Sequence, residues 1–195
     1  MKSVFLDTET TGTDPVKHGI IQLSGVIVVP NTTIVNDGCD ERTFDLKMKP
    51  FDSDEIEESA LVINGTTREE LMTRTEPRAA FTTFTSLLGK CISRFDSTDK
   101  AYLFGYNVGF DDQFLRAWFK KNGDRYYGSW FWWPPIDVAV MAAIKLRDRR
   151  HELRDFKQGT VARALGIEVD ETKLHDALYD IGICRQIANI CMETK

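Results

Sequence analysis

The run IIQLSGVIVV at residues 20–29 limits the possible folds most. It is strongly β-branched, and such residues suit a pleated, packed surface better than a helix. On one side of it, KSVFLD at 2–7 reads as a buried strand that ends in an acidic residue. On the other, RTFDLKM at 42–48 reads as a third strand closed by Pro50. The stretch from Thr11 to Gly19 is turn-rich, with Gly12, Asp14 and Pro15. Three strands in a row with short connections predict an antiparallel meander.

The rest of the chain turns helical. Residues 54–61 and 67–74 read as short helices, the second with Thr67 and Glu70 placed for a capping box. Residues 77–92 carry Phe81, Phe84, Leu87, Leu88 and Ile92 at helical spacing. Residues 101–106 predict a fourth strand, 110–121 a helix, and PPID at 134–137 opens a short strand or helix. Further helices are expected over 138–146, over 157–165, and from near His175 to about Met192. The fold class that follows is α/β, a mixed sheet flanked by helices. With 195 residues and no repeat or linker, one domain over 1–195 is expected.

The formal net charge is -5. A protein that grips duplex phosphates along its whole length is usually basic, so any nucleic-acid contact here should be local. None of the 4 cysteines forms a C-x-x-C pair, which argues against zinc and for reduced thiols in a cytoplasmic protein. Acidic Asp7 interrupts any signal-peptide apolar region. No apolar run approaches the roughly 20 residues of a membrane span, so no membrane contact is expected.

Three segments carry chemistry. Asp7-Thr8-Glu9 ends the first strand, where residues two apart share a face, so Asp7 and Glu9 can aim two carboxylates at one point. Like charges held that close are costly unless a cation lies between them, and Mg²⁺ or Mn²⁺ suits an all-oxygen site. A D-x-E pair also describes an ordinary solvated strand end. Asp111, in FGYNVGFDDQFL at 104–115, falls at a helix start, where an acid is ordinarily a cap. Asp112 is the better cap if Asp111 faces the metals. In LHDALYD at 174–180, His175 stands at a helix entrance with Asp180 one and a half turns on. A His near its ordinary pKa of about 6.5 can take a proton from water at neutral pH.

Together these segments resemble the DEDD exonuclease superfamily in its His-containing branch, similar to ribonuclease T and polymerase proofreading exonucleases. DTETTG at 7–12 matches the first motif, NVGFDDQFL at 107–115 the second, and HDALYD at 175–180 the third. IIQLSGV at 20–26 and VINGTTREEL at 62–71 resemble intervening segments. The departures are Gln22 where an acid often stands, Thr66 for the usual Ile, and Tyr106 where many members carry His.

The resemblance implies an RNase H-like fold and a 3′→5′ exonuclease. It implies two divalent cations, Mg²⁺ or Mn²⁺, held by Asp7, Glu9, Asp111 and Asp180, with Asp7 bridging both and His175 as general base. It further implies 5′-mononucleotide products, and contact with the terminal nucleotide from Thr10, Thr11, Gly12 and Thr13, with Asn107 and Phe110 as further binding residues. The expected partner is the 3′ end of single-stranded DNA or RNA. Similar nucleases are often dimers, so a homodimer is one expected assembly. The runner-up is a proofreading subunit on a polymerase, and the ending CMETK has no clamp-binding peptide. A non-catalytic binding module of the same fold is disfavoured because all five motif residues are present.

Two runs stay open. YYGSWFWW at 126–133 holds six aromatics and reads as a hydrophobic plug or a dimer contact ahead of a base-stacking platform, with some rings left exposed. Residues 145–157 carry six Lys/Arg against three Asp/Glu, and could track a substrate backbone or form a solvated face laced with ion pairs.

Overall fold

A computed structural model describes residues 1–30, 39–173 and 176–193. The expected meander is there: β1 (Ser3–Thr10), β2 (Ile20–Pro30) and β3 (Cys39–Lys47) pair antiparallel. Strands β4 (Tyr102–Gly105) and β5 (Ile136–Asp137) then join parallel to β1, giving the sheet order β3-β2-β1-β4-β5. The helices are α1 (Glu58–Ile63), α2 (Arg68–Thr73), α3 (Pro77–Gly89), α4 (Gly109–Lys121), α5 (Val138–Lys145), α6 (Gln158–Ala164) and α7 (Ala177–Met192). None among the described residues is long and apolar enough to cross a membrane.

Alternation along β1 divides the core. Val4 and Leu6 join Leu23 and Ile27 under α3 and α4, against Phe84, Leu88, Phe114 and Phe119. Phe5 points the other way, joining Val26, Val28 and Phe104 under α5, α6 and α7, against Val138, Val161, Ile181 and Ile187. Each such side chain contributes roughly 1.5–3 kcal/mol on burial, so both faces of the sheet are covered. By the same alternation, Asp7 and Glu9 lie on the Phe5 face, towards α7, and Thr8 lies towards α4.

Local chemistry explains where the elements differ from expectation. The helix predicted from residue 54 begins only at Glu58. The Asp54 carboxylate accepts the Phe51 N–H (3.0 Å) and the Lys121 ammonium (2.6 Å), which fixes a turn there. At α2 the capping box is half made. Thr67 accepts from the Glu70 N–H (3.1 Å), while the Glu70 carboxylate takes the Arg74 guanidinium (3.1 Å). The basic run contains a 3₁₀ helix at Arg147–Glu152 that sequence periodicity does not announce.

One irregularity places the site. The β1–β4 ladder covers only Ser3–Phe5 against Tyr102–Phe104. From Leu6 onward that edge of β1 is released. The chain leaves at Gly105, where a Cβ would sit 3.1 Å from the Leu6 carbonyl oxygen. It turns through Asn107, whose φ of 63° is left-handed, a region Asn tolerates better than most residues. Helix α4 then starts beside the second half of β1.

Candidate active site

The released edge leaves a backbone donor without a strand partner, and Asp111 takes it. The Thr8 N–H donates to Asp111 Oδ1 (3.0 Å), and Thr8 Oγ1 donates to the same oxygen (2.7 Å). Asp111 is only 3% exposed. Burial pushes its carboxyl up to about 7, with the Thr8 hydrogen bonds opposing the rise and Glu9 adding to it. Asp7 is pushed up to about 8, first by burial and then by the negative charge of Asp111, Glu9 and Asp180. The structure therefore brings Asp7, Glu9, Asp111 and Asp180 together from β1, α4 and α7. Asp180 sits in the first turn of α7, whose N-cap Asp176 accepts from the Tyr179 N–H (3.0 Å). His175 lies outside the described residues.

Asp7 and Asp180 line a cleft of about 320 Å³ together with Tyr106, Arg154, Lys157 and Arg163. Among the described residues no three His, Cys, Asp or Glu close tightly enough to enclose a cation by themselves. The donors nonetheless fit a hard divalent cation. All are carboxylates, they repel one another when ionised, and Mg²⁺ is commonly held by one or two carboxylates with water and substrate phosphate completing its shell.

A linkage follows from these pKa values. In the folded state Asp7 keeps its proton up to about 8 and Asp111 up to about 7, against an ordinary 3.8. Between those limits the folded chain holds more protons than the unfolded one. Stability of the metal-free protein therefore falls as pH rises across that window. Melting in EDTA should show a lower Tm at pH 8 than at pH 5.5, and Mn²⁺ should recover the difference mainly at pH 8, where the proton no longer competes. An EDTA Tm that rises across this range would refute the carboxylate cluster.

Asp112 is not a cap. Helix α4 has Val108 at its N-cap with no side-chain cap, and Asp112 is buried. Its Oδ1 accepts the Tyr127 hydroxyl (2.7 Å) and its Oδ2 the Arg116 Nε (2.7 Å). The i,i+4 spacing of Asp112 and Arg116 was a legible signal for this pair; the Tyr127 contact had none. Asp112→Ala strands a buried hydroxyl, so it should cost about 1–3 kcal/mol, or roughly 2–4 °C of Tm per kcal/mol. Asp112→Asn should recover most of that. Loss of nuclease activity at unchanged Tm would instead mean that Asp112, not Asp111, serves the site.

The remaining expected residues are placed as follows. Thr10 Oγ1 donates to the Gly12 carbonyl (2.7 Å). Thr11 is fully buried, its hydroxyl donating to the Glu55 carbonyl (2.6 Å) and accepting from the Gly19 N–H (2.9 Å). These hydroxyls hold the turn after β1, and Thr13 is exposed. A Cβ on Gly12 would fall 2.6 Å from the His18 ring. Buried His18, which sequence reasoning passed over, braces this turn: Nδ1 accepts from the Asp14 N–H (3.0 Å) and Nε2 lies 3.2 Å from Glu57 Oε1. The Asn107 N–H donates to Asp137 Oδ1 (3.2 Å), and Phe110 packs on Phe114 at 4.8 Å. In the aromatic run Tyr127, Trp130 and Phe131 are buried as a plug, while Tyr126 and Trp133 are exposed.

A family model described as exonuclease matches residues 4–188. Two curated relatives are DNA polymerases III of the PolC type, from Thermotoga maritima (28% identical over 184 residues) and Thermotoga petrophila (27%). Each match covers 94% of this chain and 11% of the polymerase. Among solved structures, exonuclease I superposes with a TM-score of 0.71 at 23% identity, covering 97% of this chain and 40% of that one. Escherichia coli exonuclease I in complex with a dT13 oligonucleotide gives 0.70 at 23%, over 98% and 40%. A zinc-bound form of its single-stranded DNA complex gives 0.69 at 24%, over 96% and 39%. The chain thus spans about a ninth of those polymerases and two fifths of exonuclease I. The mixed sheet with its flanking helices is the RNase H-like fold of these exonucleases.

Proposed function

This chain belongs to the exonuclease family of the DEDD superfamily, and on that basis we propose that it is a metal-dependent 3′→5′ exonuclease acting on single-stranded DNA. The observation that carries the reading is Asp7, pushed up to about 8 by burial and by three converging carboxylates. A protein tolerates such a cluster where a cation will neutralise it. The choice of single-stranded DNA is supported by the oligonucleotide complexes of exonuclease I and by the polymerase relatives.

Asp7, Glu9, Asp111 and Asp180 would hold two Mg²⁺ or Mn²⁺ ions. When bound, the pair supplies positive charge that stabilises the attacking and leaving oxygens of an in-line displacement. Thr8 fixes the Asp111 carboxylate through two hydrogen bonds, so that carboxylate needs no reorganisation as charge develops. His175 takes the proton of the attacking water. The water oxygen bonds to phosphorus as the P–O3′ bond breaks, which releases a 5′-mononucleotide, and the O3′ left on the shortened strand takes a proton from solvent to become the new 3′ hydroxyl.

The test is a time course on end-labelled single- and double-stranded DNA and RNA with Mg²⁺, Mn²⁺ or EDTA. Stepwise loss from the 3′ end of single-stranded DNA, abolished by EDTA, is expected. Loss from the 5′ end, or cation-independent cleavage, would refute it. The PolC-type relatives favour a second reading, a proofreading exonuclease working with a polymerase. That reading expects faster removal of a mispaired than a paired primer end when a polymerase is present.

A further inference from the structure

The basic run is not one surface. Arg147 lies 3.7 Å from Asp148, Arg149 pairs with Glu152 (3.0 Å), and Arg150 stacks over the Phe156 ring (4.5 Å). The C-terminal end of the run behaves differently: Arg154 and Lys157 line the cleft that holds Asp7 and Asp180, with Arg163 beside them. Arg163 is neutralised by Glu171, and Arg154 lies 3.3 Å from Asp155. Among the described residues the Lys157 ammonium has no ion pair.

The backbone around Lys157 is tied down on both sides. The Tyr106 hydroxyl donates to the Phe156 carbonyl (2.6 Å), and burial keeps that hydroxyl protonated by raising its pKa. Gln158 Nε2 donates to the carbonyl of Asp180 (2.7 Å). The second tie joins the segment that carries Lys157 to the main chain of Asp180. In a chain of net charge -5, a cation that lines the same cleft as an acidic centre is where a polyanion finds local attraction.

We propose that Lys157, with Arg154, forms a phosphate subsite that grips the backbone phosphodiester next to the scissile one. The subsite rests on the exonuclease reading and adds to it a specific contact that sets the strand's register. Tyr106 and Gln158 are its positioning residues. They hold the segment that carries Lys157.

The experiment measures binding of 5′-fluorescein-labelled oligo(dT) in Ca²⁺ by anisotropy, and digestion in Mg²⁺. Lys157→Ala should weaken binding about three- to tenfold and lower the slope of log K against log salt by about 0.7, the share of one phosphate on a single strand. KM should rise while kcat stays within about twofold, as expected when a contact serves binding more than the transition state. Lys157→Arg should restore affinity. Arg147→Ala, outside the cleft, should change neither Kd nor slope by comparable amounts. A methylphosphonate walked along the strand should erase the Lys157→Ala effect at one position only. Lys157 is exposed, so the melting temperature should not move. If the wild type digests the strand while Lys157→Ala keeps its Kd and salt slope, the subsite is wrong and the exonuclease reading stands. A wild type that neither binds nor digests would remove both.

Discussion

Asp7→Asn should lower turnover by roughly three or more decades, about 4 kcal/mol of transition-state stabilisation. The same change should make the metal-free protein more stable at pH 8. Wild-type Asp7 is pushed up to about 8 by burial and neighbouring carboxylates, so near that pH it is being forced to ionise in surroundings that resist charge. Asparagine keeps the shape and removes the charge. In EDTA its Tm should exceed that of the wild type at pH 8, and the gap should shrink towards pH 5.5, where the wild-type carboxyl is protonated. Mn²⁺ should stabilise the wild type more than the variant. Near-normal turnover of Asp7→Asn at saturating Mn²⁺ would overturn the assignment. A variant both inactive and less stable at pH 8 would overturn the electrostatic account of the site.

The second large effect belongs to His175. His175→Ala should lower kcat by about two to four decades, the usual worth of a positioned general base, while cation binding followed by Tm stays close to wild type. The pH profile supplies the decisive comparison. Asp7 and Asp111 are themselves pushed up to about 8 and about 7 without metal, and water on a cation can titrate in the same range. The wild-type rising limb alone therefore does not identify the base. At saturating Mn²⁺ the carboxylates are ionised, and any limb remaining in the wild type but flattened in His175→Ala belongs to the imidazole. An unchanged limb with little loss of rate would assign proton removal elsewhere.

The strands of the fold were legible because their signals are local. IIQLSGVIVV is β-branched over most of its length, and Val4 and Leu6 are buried in one layer and Phe5 in the other, as a period of two requires. Strand spacing suggested Asp7 with Glu9, and the resemblance to the three family motifs added Asp111 and Asp180, which lie close enough to Asp7 to raise its pKa. What was not legible depends on contacts between distant residues. Thr8 holding Asp111 links positions 103 apart, and nothing in the alternation of β1 says that its ladder with β4 stops at Phe5. Asp112 looked like a helix-terminus charge because its true partner, Tyr127, lies in a run that composition presents only as aromatic. The basic run could not be resolved from its charge count. Burial and pairing divide it, and Tyr106, noted only as a substitution for His, proves to anchor its last residues.

The placement of the carboxylates on β1, α4 and α7 has a consequence for the chain while it is being made. Helix α7 follows every strand and every other helix in chain order, so Asp7 must wait for almost the whole described fold before Asp180 can face it. A chain in which α7 has not packed leaves Asp7, Glu9 and Asp111 without Asp180. The full set of four carboxylates therefore depends on α7 being packed against β1.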